Sequence, residues 1–451
     1  MHLAYSSPVH ILIASLFFTV LFSCQQGDTD TKEDRKDHSA SNTKNAAIAR
    51  ADYAMYLQPK NNNELEKQQK EYAFWEAKIE KTPGQFPWLV KMAIAANKLF
   101  DITGDVKYLN LANDHLESTN KINNRSSSDN LRSLARCYIT QHRFKDSHQA
   151  LLDAEELGEK IDETNKMLFD VNMELGDYET AETYLNKIKE KSSFDHLIRK
   201  SKWEDHNGNL DKAITYMESA LKNAKLQKNA TLTLWSYTNL ADYYGHAGRI
   251  EDSYNNYLKA LAINPNDAYA MKGIAWILYS HQKDTAGAKE ILNALIKRHD
   301  SPDYFLLRSE IAEYEGNEAE KNKWLDMYLE KINNPEYGVM YNKYKIELLA
   351  EEKGDFQTAK QLAKDEIEMR PTPQSYDLLA WATLKAGEKK EALSIIERHV
   401  VNKSFEPALL YHTAEIYKAN GNKKKVDEFK PELLESVYEL GPVMGKRIEL
   451  L

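Results

Sequence analysis

A turn that recurs in phase constrains this chain more than any other feature. From Leu232 to Pro265 the sequence LTLWSYTNLADYYGHAGRIEDSYNNYLKALAINP reads as two short amphipathic helices around a tight turn. Leu240, Ala241 and Tyr244 share one helical face, Gly248 marks the turn, Ser253, Tyr257 and Ala260 line the second helix, and Pro265 ends the unit. Small residues at Ala241 and Ser253 let two helices approach closely while larger neighbours fill the layer beside them. Equivalent turns fall at Gly104, His142, Gly176, Gly208, His281 or Gln282, Gly316, Gly354, Gly387 and Gly421. A small residue follows most of them at the close-packing position: Ser147, Ala181, Ala213, Gly287, Ala359 and Ala392. One glycine means little; turn, small residue and aromatic or aliphatic residue recurring together mean a repeated helical hairpin.

On these residues the unit resembles the tetratricopeptide repeat, a helix–turn–helix of about 34 residues. The resemblance covers about residues 87–430. It implies an all-α, right-handed solenoid of stacked antiparallel helix pairs with a protein-binding role, and it selects no biological process. The solenoid is expected over 87–430, a capping helix region over 59–86, and a second capping helix with a tail over 431–451. Within 64–82, Tyr72, Trp75 and Ile79 give the first cap its apolar face, and a short helix is expected around AIARADYAMYL. The link near 221–231 is long, so a bend or a helix extension is expected there. Asn264-Pro265-Asn266-Asp267 and Ser301-Pro302 read as starts of outgoing helices.

The first 23 residues need another explanation. HILIASLFFTVLF is apolar but shorter than the roughly 20 residues of a membrane span, which reads as a signal segment. Leu21-Phe22-Ser23-Cys24 looks like a bacterial lipobox, a resemblance that implies lipid attachment at Cys24. An uncleaved anchor and ordinary secretion are the alternatives. Residues 24–58 then form a polar tether, since QQGDTDTKEDRKDHSASNTKN holds too little apolar surface for a core. Gln25 and the acidic stretch behind it resemble an outer-membrane, Bacteroidetes-type lipoprotein. The membrane face stays open.

Across its 451 residues the chain is 42% hydrophobic with a formal net charge of -9, which supports a folded body and argues against general nucleic-acid binding. Its two cysteines, Cys24 and Cys137, build no disulfide framework, and Cys137 sits where a small buried residue is expected. There is no HExxH, paired CxxC, phosphate loop or GxSxG, so no catalytic residue, metal or cofactor is implied. Trp203-Glu204-Asp205-His206 has suggestive residue types, but beside a repeat turn such side chains usually cap or face solvent.

In the resembling family the first helix of each repeat lines the concave side. Carried onto the phased units, that geometry points Trp235 and His246 inward, then Tyr269, Trp276 and Tyr279, then Tyr341 and Tyr344, then Trp381 and Tyr411. Thr238, Asp242, Lys272, Asp377, Lys385 and Lys418 would set polar selectivity. Packing between helices is the competing role for the tryptophans, because a phase error of one residue turns a side chain by about 100 degrees. The resulting expectation is a noncatalytic, lipid-anchored scaffold of the bacterial envelope, with another envelope protein or peptide as partner. A glycan-binding lipoprotein using Trp and Tyr as stacking platforms is one alternative, and an envelope enzyme with a cryptic cleft is the other. Oligomeric state is unread.

Overall fold

A computed structural model describes residues 48–60 and 63–451. The signal segment, Cys24 and most of the expected tether lie outside the described residues. Helix α1 (Arg50–Tyr53) and a 3-10 turn (Ala54–Tyr56) precede α2 (Asn63–Lys81). The next six pairs are α3 (Phe86–Thr103) with α4 (Val106–Ile122), α5 (Ser128–Thr140) with α6 (Phe144–Leu157), α7 (Ile161–Leu175) with α8 (Tyr178–Lys187), α9 (Phe194–His206) with α10 (Leu210–Leu226), α11 (Ala230–His246) with α12 (Ile250–Ile263), and α13 (Ala268–Trp276) with α14 (Thr285–Ile296). Four more pairs follow: α15 (Asp303–Tyr314) with α16 (Glu318–Ile332), α17 (Asn342–Leu348) with α18 (Phe356–Met369), α19 (Pro373–Lys385) with α20 (Lys389–His399), and α21 (Pro407–Ala419) with α22 (Lys423–Glu435). Helix α23 (Val437–Glu449) closes the chain. The fold is the all-α solenoid of tetratricopeptide type that the resemblance implies.

Each turn has the same local cause. Gly176, Gly248 and Gly421 take positive φ, and the amide after each reaches back over the helix end, as in Asp177 N to Asn172 O at 3.0 Å and Arg249 N to Tyr244 O at 2.7 Å. At several turns an Asp or Asn then caps the second helix: Asp177 accepts from Thr180 N at 3.2 Å and Asp355 from Thr358 N at 3.1 Å. The sixth turn differs. Its positive-φ residue is Lys283, just past the expected His281 or Gln282, because α13 runs on into a π-helical turn at Ile277–His281 that holds an extra residue. A second π turn, Leu349–Lys353, extends α17. The small residues sit where expected: Ser147, Ala181, Ala213, Ser253, Ala359 and Ala392 are fully buried. At 221–231 the helix-extension expectation holds. Helix α10 runs to Leu226, Lys228 takes positive φ, and α10 packs directly on α11.

The N-terminal segment departs from expectation. Residues 50–57 do not continue the tether; they pack on the central pairs. Tyr53, Tyr56 and Leu57 are buried in the cluster that holds Tyr254, Leu261, Leu292 and Leu295. Arg298 Nη1 donates to Tyr56 O at 3.1 Å, and Lys60 exchanges two hydrogen bonds with Asn266. Three aromatic or aliphatic side chains in eight residues bury enough apolar surface to hold the segment. The expectation for 64–82 matches its placement: α2 packs on α3, with Tyr72 Oη and His115 Nε2 2.9 Å apart.

First helices of neighbouring pairs touch, as in α7 with α9 and α17 with α19, so they line the inner side of the curve. The superhelix then returns on itself. Asp300 N donates to Thr103 O at 2.6 Å, and Asn110 Nδ2 donates to Glu336 O at 3.0 Å. A side chain added at Gly176 would meet Thr372, and one at Gly208 would meet Phe405. Every one of these contacts joins the first four pairs to chain lying about six pairs further on.

Candidate functional site

The inner surface of the first helices is the candidate site, and much of it is already occupied by the chain's own C-terminal helix. Helix α23 does not cap the last pair alone. Its Tyr438 ring lies against Gly245 of α11, and the Tyr438 carbonyl accepts from Trp276 Nε1 at 3.2 Å and from Ser280 Oγ. Gly441, with φ +85 and ψ 160, interrupts the helix and brings its backbone against Glu310 of α15. Arg447 then pairs with Glu313 of α15 at 2.9 Å and with Glu351, in the π turn after α17, at 3.2 Å. Ile448 and Leu433 pack with Trp381 and Tyr411, and Lys418 Nζ donates to Leu450 O at 2.8 Å. One helix thus touches inner helices of six consecutive pairs. Both π turns lie under it, where the widened backbone presents Ser280 and Glu351.

The expected inward residues sort by what covers them. Trp276, His246, Trp381, Tyr411 and Lys418 meet α23 or its neighbours. His246 Nδ1 lies 3.7 Å from Glu439, and burial pushes its pKa down to about 4, so it is neutral near pH 7. Trp381 is 2% exposed, donates to Glu351 Oε1 at 2.7 Å and stacks on His412 with centroids 3.9 Å apart. Tyr279 is fully buried and donates to Glu310 Oε1 at 3.0 Å. Asp377 is buried, with an oxygen 2.7 Å from His412 Nδ1. Thr238 is buried and donates to Trp235 O at 2.9 Å. Tyr279, Trp381, Tyr411, Asp377 and Thr238 were expected to face an open channel and are instead buried, Trp381 and Tyr411 against Leu433 and Ile448.

A second group stays half-buried around the bore. Asp242 accepts from Tyr269 Oη at 2.5 Å and from Tyr257, and its pKa is raised to about 6, burial outweighing those two bonds. Lys272 Nζ meets Asp303 at 3.1 Å. Tyr341 lies edge-on to Tyr328 and Tyr337 and tilted on Tyr344. Trp235 sits edge-on to Phe194. Lys385 is exposed, with Nζ 4.2 Å above the Trp381 ring. Sequence reasoning missed Tyr243, Lys343 and Glu347, which share this polar interior. It also missed Tyr438, Glu439 and Arg447. Net helical phase gave no signal for them, since α23 finds its partners across the superhelix.

Cys137 is buried within reach of Asn97 at 3.7 Å, and burial raises its thiol pKa to about 11, which suits a packed side chain. Among the described residues, no group of three His, Cys, Asp or Glu is placed to hold a metal ion, and no helix is long and apolar enough to cross a membrane.

Two sequence models of the tetratricopeptide repeat match, one over residues 203–266 and the other over 238–328, so the repeat assignment stands for the centre of the chain. Such repeats generally mediate protein–protein interaction or scaffolding. No curated protein matches. Among solved structures, the chain is similar to Pseudomonas aeruginosa pilF at 14% identity, covering 47% of this chain and 94% of that one with TM-score 0.35. It is similar to a tetratricopeptide repeat protein from Parabacteroides merdae at 14% identity, covering 55% and 94% with TM-score 0.38. A human IFIT1 dimer with PPP-AAAA is also similar at 14% identity, covering 69% and 71% with TM-score 0.45.

Proposed function

We propose that this protein is a noncatalytic scaffold of the bacterial cell envelope, anchored by lipid at Cys24, that takes a helix or extended peptide of another envelope protein on the inner surface of its first helices. One observation carries the reading: that surface already seats a helix, α23, through aromatic packing, donors to its backbone and an arginine between two glutamates. A partner would use the half-buried remainder around Trp235, Asp242, Tyr269, Lys272, Tyr341 and Tyr344. The lipobox-like Leu21-Phe22-Ser23-Cys24 supports the anchor. The strap formed by residues 50–57 would bring the tether in at the central pairs, with at most about 3.5 Å of reach per residue from Cys24.

Crosslinking in membranes followed by mass spectrometry tests the reading. One protein recovered in fixed ratio, and lost with Tyr269→Ala and Tyr341→Ala in a folded body, is the expected result. Saturable glycan binding without a protein partner would instead support the stacking alternative. Metabolic labelling with a fatty acid, abolished by Cys24→Ala, tests the anchor separately.

A further inference from the structure

Where the third and fourth pairs meet the chain that returns six pairs later, the seam leaves a cavity of about 80 Å3 that opens to solvent. One side is formed by Glu174, Tyr178, Asp205 and His206, and the other by Arg370, Phe405 and Glu406. The Trp203-Glu204-Asp205-His206 stretch of the sequence thereby supplies two of its walls.

The cations at this seam are engaged. Lys202 Nζ donates to Glu174 Oε1 at 2.8 Å. Arg370 Nε donates to Glu366 Oε1 at 2.6 Å, with Nη1 at 3.7 Å from Glu174. Lys403 Nζ donates to Arg398 O at 2.7 Å. Asp205 is different: it is 7% exposed, lines the cavity, and its Oδ1 accepts no hydrogen bond. A carboxyl oxygen buried without a hydrogen-bond partner is costly. Across the cavity, Glu406 accepts from Gln374 Nε2 at 3.2 Å. Aromatic rings line the same cavity. Tyr178 and His206 lie with centroids 4.0 Å apart, and the Phe405 ring rests on Gly208.

We propose that this cavity binds an organic cation, a guanidinium or primary ammonium on a short stem, held by Asp205 and Glu406 between the Tyr178 and Phe405 rings. Two carboxylates and an aromatic face are the groups that recognise such a cation. A bare metal ion is a poor fit, since no third ligand joins the pair among the described residues. An anion would find Lys202 and Arg370 already paired. Burial and then repulsion by Glu406 push the Asp205 pKa well above its usual value, and burial first of all raises that of Glu406 to about 7, although Lys343 and Arg370 pull it down. A bound cation would relieve both. Burial also pushes His206 down to about 4, leaving a neutral ring that does not repel the ligand.

Calorimetric titration of the full-length protein with N-acetylargininamide, agmatine and neutral N-acetylcitrullinamide at pH 7.5 tests this, the pH being about half a unit above the Glu406 value. The expected result is saturable binding of at least one cation, no binding of the citrulline compound, and roughly tenfold or greater weakening in both Asp205→Asn and Glu406→Gln. Binding of the blocked arginine points to a side chain within a peptide, and binding of agmatine alone points to a free amine. Without ligand, Asp205→Asn is expected to unfold at the same or a higher temperature, because it replaces a buried carboxyl whose Oδ1 has no hydrogen-bond partner. Absence of heat with both cations overturns the site. Equal binding of the neutral compound, unchanged binding by Asp205→Asn, or a lowered melting temperature for that variant, which would mark a structural carboxyl, overturns it too.

Discussion

Trp276, Trp381 and Tyr411 on one hand, and Trp235, Tyr269 and Tyr341 on the other, occupy comparable places on first helices. Their surroundings differ sharply. Trp381 and Tyr411 are buried against α22 and α23, down to 2% exposure at Trp381, and Trp276 is half-buried with its indole bonded to the Tyr438 carbonyl, while the second group stays half-buried around the bore without α23. An inward-facing aromatic therefore becomes core or contact surface according to what the distant end of the chain lays over it. Its own helix does not decide the matter.

Four substitutions sharpen or break that comparison. Trp381→Ala should have the largest effect, a loss of about 3–5 kcal/mol in urea unfolding, because it empties a buried site and removes the hydrogen bond to Glu351 and the stacking on His412. An equal loss for Trp235→Ala would erase the distinction. Gly441→Ala should cost about 1–3 kcal/mol, since position 441 has φ +85 and a new Cβ would meet Glu310. Its signature should be greater quenching of Trp276 fluorescence as α23 loosens, with helix content retained.

Glu310→Gln should have a smaller and pH-dependent effect. Burial first, and then neighbouring Glu313, raises the Glu310 pKa to about 7, against the opposing influence of Tyr279 and Arg447. A raised carboxyl keeps its proton in the folded state, so its stabilising contribution is present near pH 4.5 and is lost as pH rises through about 7. The variant should gain about 2 kcal/mol on wild type between pH 5 and pH 8 in thermal unfolding. An unchanged gap would show that α23 does not confine this carboxyl. Lys385→Ala should do least, within about 1 kcal/mol, because the exposed ammonium only overlies the Trp381 ring.

Much of the architecture was legible for local reasons. A glycine turn followed by Asp, as in Gly176-Asp177 and Gly354-Asp355, marks where one helix ends and the next is capped, and the structure ends and caps helices there. The sixth turn was misplaced slightly because a π turn adds a residue that helical periodicity does not count. The strap at 50–57 was missed because its apolar partners, Tyr254 and Leu292, lie in helices far along the chain. Helical phase sets which side chains share a face, but not what covers that face. Trp276 is covered through the Tyr438 carbonyl, and no window around residue 276 contains residue 438. Distances of that kind are set by superhelical pitch.

That pitch changes how the rod must come apart. In most solenoids each repeat leans only on its neighbours, and ends can fray or be trimmed with local loss. Here the bond from Asp300 to Thr103 and the packing of Phe405 on Gly208 lace one coil to the next. Excising a single hairpin from the middle would slide every lace out of alignment at once, so the molecule should tolerate insertions poorly and melt as a unit.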